Sequence, residues 1–292
     1  MSPSPAKGPV MQSRAFPILA LPLLAAAAAC GGADRSSSSE SGPGSGQFSV
    51  TSDRPIAGSD TAASYSIAVS FTTEPSCTTQ TVSACTVNPC YQSSRSGNAN
   101  TPLPSAGQVT FAGVGTTSLA LAPQSDGNYA TETVAGQLPW ETGGSAVTFE
   151  WARFPGNAGQ PGDSIVLSTP PYVALVAGSA FAAETSTVVR DHDLTVSWTS
   201  DSAPSELDDV AVDVSSASVQ VYCIFPAASG TGVVPAAVLG LLEPGDGTYD
   251  VHSKENAYER IDAGEGSWGM SFNVDAHART SYGLAKGSVT IR

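Results

Sequence analysis

From Phe48 onward the chain alternates apolar and polar residues in short runs rich in Val, Thr, Phe and Tyr, divided by clusters of Gly, Pro, Asn and Asp. Alternation with period two buries one face of a strand and leaves the other wet, and turn clusters at these intervals are typical of all-β domains. The runs that predict strands are YSIAVSFT (65–72), GQVTFAG (107–113), SLALAP (118–123), AVTFEWARF (146–154) and DLTVSWTS (193–200). They continue with DDVAVDVSS (208–216), SVQVYCIF (218–225), SWGMSFNVDA (267–276) and GSVTIR (287–292). One segment departs from the alternation. In VVPAAVLGLLEPGDG (233–247), Pro235 suits a helix start and the Pro-Gly pair stops the helix after Leu242, which predicts about two helical turns packed between strands.

The amino-terminal region follows neither pattern. Residues 31–46 read GGADRSSSSESGPGSG, a tract too poor in apolar side chains to offset its ordering entropy, and it is read as a tether. Before it, Phe16 to Ala29 carries no charge, but this run is well short of the roughly 20 residues a membrane-spanning helix needs. Arg14 ahead of the run and alanines at its end give the order of a secretory signal, with Met11 as an alternative start. The predicted organisation is a signal peptide over 1–29, an anchoring cysteine and flexible linker over 30–46, and two β-sandwich domains over 47–180 and 181–292. Residues 47–292 exceed one sandwich of about 100 residues, and the weakest join lies in LVAGSAFAAETST (175–187).

The end of the apolar run, small residues followed by Cys30, resembles the bacterial lipoprotein signal over residues 11–32, with Ala27 at a position where Leu is commoner. That resemblance implies cleavage before Cys30, acylation of its thiol and amine with chains such as palmitate, and attachment to a lipid membrane. Each buried CH₂ contributes about 0.8 kcal/mol, so several chains hold a protein firmly where one is marginal. Gly31 lacks the aspartate that the family uses for inner-membrane retention, which implies the outer membrane of a Gram-negative bacterium. The competing reading is a plain secretory signal cut among the alanines, with Cys30 a stray thiol.

Further along, Trp198 in DLTVSWTS, together with Leu242, Pro244, Tyr249 and Val251 in LLEPGDGTYDV, resembles a fibronectin type III domain. The resemblance implies an Ig-like sandwich in which the tryptophan packs in the core and the tyrosine hydroxyl closes onto nearby backbone. The order SAG (105–107), DGNY (126–129), PPYVAL (170–175), SWT (197–199) and VPAAVLGLL (234–242) is also similar to uncharacterised β-rich lipoproteins of GC-rich Gram-negative bacteria, a family with no established activity. The expected fold class is therefore all-β, an Ig-like β-sandwich in two packed domains with one short helix.

Cysteine usage fits an oxidising compartment. Of five cysteines, Cys77, Cys85, Cys90 and Cys223 form an even set beside Cys30. Three of the four lie within fourteen residues, so complete oxidation requires one of them to reach Cys223; sequence leaves all three connectivities open. Zinc is a weaker use of the cluster, because it has no C-x-x-C pair and no nearby histidine.

Net charge is −14, and loss of the leader removes Lys7 and Arg14 but no acid, which leaves the mature chain more acidic still. Nucleic acid is not an expected partner, since its binding rests on Lys and Arg neutralising phosphates.

Candidate chemistry is sparse. His192 lies in RDHD, best read as a polar loop, and His252 and His277 are read as surface residues. No G-x-S-x-G turn occurs in a strand-turn-helix setting, which disfavours a serine hydrolase. Calcium is the one candidate cofactor: Asp208, Asp209 and Asp213, with Glu206, make an acidic patch near a strand start, and Asp246 sits in a second oxygen-rich turn. Neither matches the D-x-D-x-D-G loop, so solvated turn acids are the simpler reading. The expectation is a non-enzymatic, membrane-anchored lipoprotein that binds a surface protein or glycan or serves envelope structure. The alternative is an extracellular hydrolase, or its accessory domain, using paired carboxylates.

Overall fold

The alternating runs pair as their pattern requires, apolar face to apolar face. The computed structural model describes residues 45–55, 62–72, 79–89, 106–115, 118–125, 128–152, 163–263 and 266–292. In chain order the strands begin with β1 (Ser45–Asp53), β2 (Ser64–Thr72), β3 (Gln80–Val82), β4 (Cys85–Asn88), β5 (Val109–Ala112) and β6 (Leu119–Leu121). Next come β7 (Glu132–Ala135), β8 (Ala146–Trp151), β9 (Asp163–Ser168), β10 (Val173–Leu175), β11 (Ser186–Val188) and β12 (Leu194–Ser200). The last are β13 (Asp209–Ser215), β14 (Gln220–Pro226), β15 (Thr231–Val234), β16 (Gly245–Ala263), β17 (Gly266–His277) and β18 (Lys286–Ile291). The helix α1 covers Ala236–Leu239 with Pro235 at its N-cap, and turns closed by the amides of Leu241 and Leu242 extend it to the expected stop.

The protein is an all-β sandwich. An 11-stranded sheet runs β3-β4-β14-β13-β16-β17-β1-β2-β7, with β18 joined to β16 and β11 joined to β18. Two smaller sheets, β6-β5-β8-β9 and β10-β12-β15, complete it. Each encloses its own apolar core. Phe48, Ile67, Phe111, Phe149 and Phe272 lie in the first, where β1, β2 and β17 meet β5 and β8. Val196, Trp198, Val212, Leu239 and Val251 lie in the second, where β13 and β16 meet β12 and α1. Trp198 is buried and its indole N–H donates to the Ala227 carbonyl at 2.9 Å. Tyr249 stacks flat on Phe181, ring centroids 4.3 Å apart, and Phe181 takes a left-handed φ of 64° to make that contact.

Along this part of the chain the cores change over between Tyr172 and Val173, ahead of the expected join at 180/181, and one large sheet serves both. β1 pairs parallel to β17, and residues 41–292 form one compact unit. β1 begins at Ser45, inside the segment read as linker, because Gly46 fits where a Cβ would meet Met270 Sδ at 2.6 Å and the Phe71 ring at 2.8 Å. Cys85 and Cys223 are register partners on β4 and β14, buried in the second core and joined as a disulfide across 138 residues of sequence. Cys77 and Cys90 lie outside the described residues, as does Cys30. No helix among the described residues is long and apolar enough to cross a membrane.

Between the two cores, on the same side of the large sheet, runs a polar seam. Ser52 of β1 and Ser253 and Glu255 of β16 face inward there, with Thr169 and Asp208, and all five are buried. Ser52 hydrogen-bonds the Tyr172 hydroxyl at 2.8 Å, which donates to the Trp140 carbonyl at 3.0 Å, and Ser253 donates to the Pro171 carbonyl at 2.5 Å. The seam is satisfied largely through the 169–172 segment that links β9 to β10.

Candidate functional site

The opposite face of the large sheet is polar, because side chains alternate across each strand and the apolar set is committed to the cores. Register decides which polar groups meet. Asp213 of β13 stands opposite Asp250 of β16, and Asp209 opposite Lys254. Across the other edge of β16, His252 faces His277 and Lys254 faces Asp275, both on β17. Asp250 is also the register partner of Lys286 on β18.

At the centre is His277, held at both ring nitrogens. Nδ1 meets Asp53 Oδ1 at 2.5 Å and Nε2 meets Asp250 Oδ2 at 3.0 Å, so three strands converge on one imidazole. Lys286 Nζ donates to both oxygens of Asp53 at 3.1 Å. Burial opposes the charge on His277, but hydrogen bonds to Asp250 and Asp53 outweigh it and push its pKa up to about 9. Burial likewise opposes ionisation of Asp250 and Asp53. The imidazoles of His277 and His252 around Asp250, and His277 with Lys286 around Asp53, hold both carboxyls below the usual range. A protonated imidazole with both N–H groups engaged has no lone pair to take a proton, so His277 is not placed to act as a general base.

Next to this clamp lies a second cluster. Lys254 is buried and donates from Nζ to the Tyr222 hydroxyl at 2.8 Å. Burial lowers its pKa, partly offset by Asp275 and Asp209, while burial raises that of Asp275. Asp213 accepts from the Ser215 hydroxyl at 2.9 Å and from the Gln220 amide, and burial still raises its pKa, with Asp250 adding to the effect. Farther along β16, Tyr258 is 62% exposed and lies across Gly269, where a Cβ would collide with its hydroxyl.

The candidate calcium acids are divided by the pleat. Asp209 and Asp213 share the outer face, two pleats or about 13 Å apart, whereas Asp208 points into the seam, buried. No group of three or more His, Cys, Asp or Glu side chains able to hold a metal occurs among the described residues. His192 fits its loop reading: it is exposed and meets Asp191 at 2.5 Å. His252 and His277 do not fit theirs, since their side chains are only 14% and 11% exposed, enclosed by the acids of neighbouring strands.

Two open surface clefts lie elsewhere. One, of about 470 Å³, is bounded by Trp198, Asp201, Pro204 and Gly230. The other, of about 460 Å³, has Glu150 and Asp163 at its rim. Asp163 is the register partner of inward-facing Trp151, so it and outward-facing Glu150 stand on opposite sides of the pleat.

Sequence reasoning missed Asp53, Asp250, Lys254, Asp275, Tyr222 and Lys286. One signal was present: in TYDVHSKEN, Asp250, His252 and Lys254 recur with period two, which places them on one face of a strand. The chain matches no family model and no curated protein.

Proposed function

We propose that this chain is a lipid-anchored, extracytoplasmic lipoprotein that acts as a surface binding or envelope structural module and carries out no catalysis. Cys30 is its acylated first residue, the tether spans the distance from the membrane, and the Ig-like sandwich is presented outward, in the outer membrane of a Gram-negative bacterium. The observation that carries the non-catalytic reading is His277, whose two nitrogens are both engaged by carboxylates. The buried disulfide supports an oxidising compartment, where such bonds persist. Farther along β16 the same sheet face carries the exposed ring of Tyr258, the kind of side chain that suits a protein or glycan partner. Paired carboxylates for hydrolysis have less support: Asp213 and Asp250 are each tied to neighbouring side chains rather than open to a substrate.

Fractionation of cells expressing Cys30→Ser tests the anchor. The variant is expected in the soluble extracytoplasmic fraction while the parent sediments with membranes and is released by detergent. Membrane retention of the variant equal to that of the parent overturns the acylation reading.

A further inference from the structure

We propose that Asp208 and Glu255 form a binding site for a hard divalent cation of the calcium class, set in the polar seam between the two cores. Asp209 is paired with Lys254 across β13 and β16, so Asp208 lies opposite Glu255, and both point to the inner side of the sheet. Each residue is only 5% exposed. One oxygen of each carboxylate is oriented by a backbone amide: Asp208 Oδ2 by Ser205 at 2.6 Å and Glu255 Oε1 by Ser168 at 3.1 Å. The other oxygens, Asp208 Oδ1 and Glu255 Oε2, are shut off from solvent and have no hydrogen-bond partner.

No ion pair to either acid occurs among the described residues; Lys254, the neighbour of Glu255 in sequence, serves Tyr222 on the far face. Two adjacent buried carboxylates without a cation are unfavourable, and buried charges in proteins are paired or coordinate metal. Burial raises both pKa values, against the hydrogen bonds from Ser205 and Ser168, and at Glu255 the charge of Asp208 adds to the effect. A proton would neutralise one of the pair; a divalent cation neutralises both and supplies a partner to both orphaned oxygens. The donor set selects the class. It has no thiolate or imidazole, and its two unpartnered atoms are carboxylate oxygens, the hard donors that suit calcium.

The site would clamp the start of β13 to β16 and to the end of β9, whose Ser168 amide holds Glu255. It does not depend on the lipid anchor. Calorimetric melting of the purified full chain at neutral pH, in EDTA and in millimolar calcium, tests it. Calcium is expected to raise the melting temperature by roughly 5 °C, with Glu255→Gln and Asp208→Asn each abolishing the rise. No shift in the parent overturns the proposal, and a higher melting point for Glu255→Gln in EDTA then assigns the pair a shared proton. A calcium response kept by both variants overturns it by placing the ion elsewhere.

Discussion

Replacing His277 by Gln is expected to lower the stability of the folded chain by about 2 kcal/mol at pH 6, between the values for exposed and fully buried pairs, and to remove most of its dependence on pH above neutrality. The imidazole bridges Asp53 of β1 and Asp250 of β16 from its place on β17, so its loss leaves two half-buried carboxylates without a shared partner. Removing one partner of a buried ion pair costs more than the pair contributes, because the remaining charge stays desolvated. The direction of the pH dependence follows from where the proton is held. With a folded pKa of about 9 against 6.5 for the free side chain, the contribution of His277 is fully present below pH 6.5. As pH rises further, the unfolded chain releases the proton first, so stability falls by up to about 1.4 kcal/mol per pH unit and levels off once the folded imidazole also titrates.

The carboxyls bound the acid side. Asp53 and Asp250, held below the usual range, contribute stability that is present above their ordinary pKa of 3.8 and is lost as pH falls through their folded values. Asp213 and Asp275, raised by burial, work in the other direction and cost stability as pH climbs from 3.8 through theirs. Stability should therefore peak at weakly acidic pH. Urea unfolding from pH 4 to 10, followed by the fluorescence of the buried tryptophans, measures the profile. A parent curve that stays flat from pH 7 to 9.5, or a His277→Gln curve parallel to it, would show that the clamp does not hold the proton.

The same network explains what the sequence disclosed and what it concealed. Strands with one apolar face stood out: β2, β8, β12, β13 and β14 lie within a residue or a few of the runs that predict them. The longest strand, β16, did not stand out. Its outer positions Asp250, His252 and Lys254 are polar, and its inner face turns from Tyr249 and Val251 to Ser253 and Glu255 where it crosses the seam. Hydrophobic alternation fades at the point where the strand matters most, because a strand spanning two cores must pass the polar ground between them. The outer cluster was hidden for a related reason. Asp250 and His277 meet through the pairing of β16 with β17, but Asp53, 224 residues ahead of His277, joins them through the parallel pairing of β1 with β17, a long-range choice that no local pattern specifies. The division of Asp208 from Asp209 and Asp213 was by contrast readable from strand period alone, since neighbouring residues on a strand face opposite ways.

Removing the Cys85–Cys223 bond is expected to produce the largest loss of stability from any covalent change in the sandwich. The bond closes a loop of 138 residues, and chain-entropy reasoning assigns a crosslink of that span about 4 to 5 kcal/mol. Both sulfurs lie in the second core between β4 and β14, so the bond also ties the short β3–β4 hairpin to the main sheet through one central strand. Cys85→Ala with Cys223→Ala avoids a buried hydroxyl or thiol left without a partner, and it should lower the urea midpoint without abolishing the β signature in circular dichroism. Peptide mapping without reductant supplies the companion result. With Cys85 committed to Cys223, an oxidising compartment leaves Cys77 and Cys90 as the remaining two of the even set. Recovery of Cys223 joined to either of those two, or as a free thiol, would contradict the pairing, and a double variant as stable as the parent would show that the large sheet closes on β4 without the crosslink.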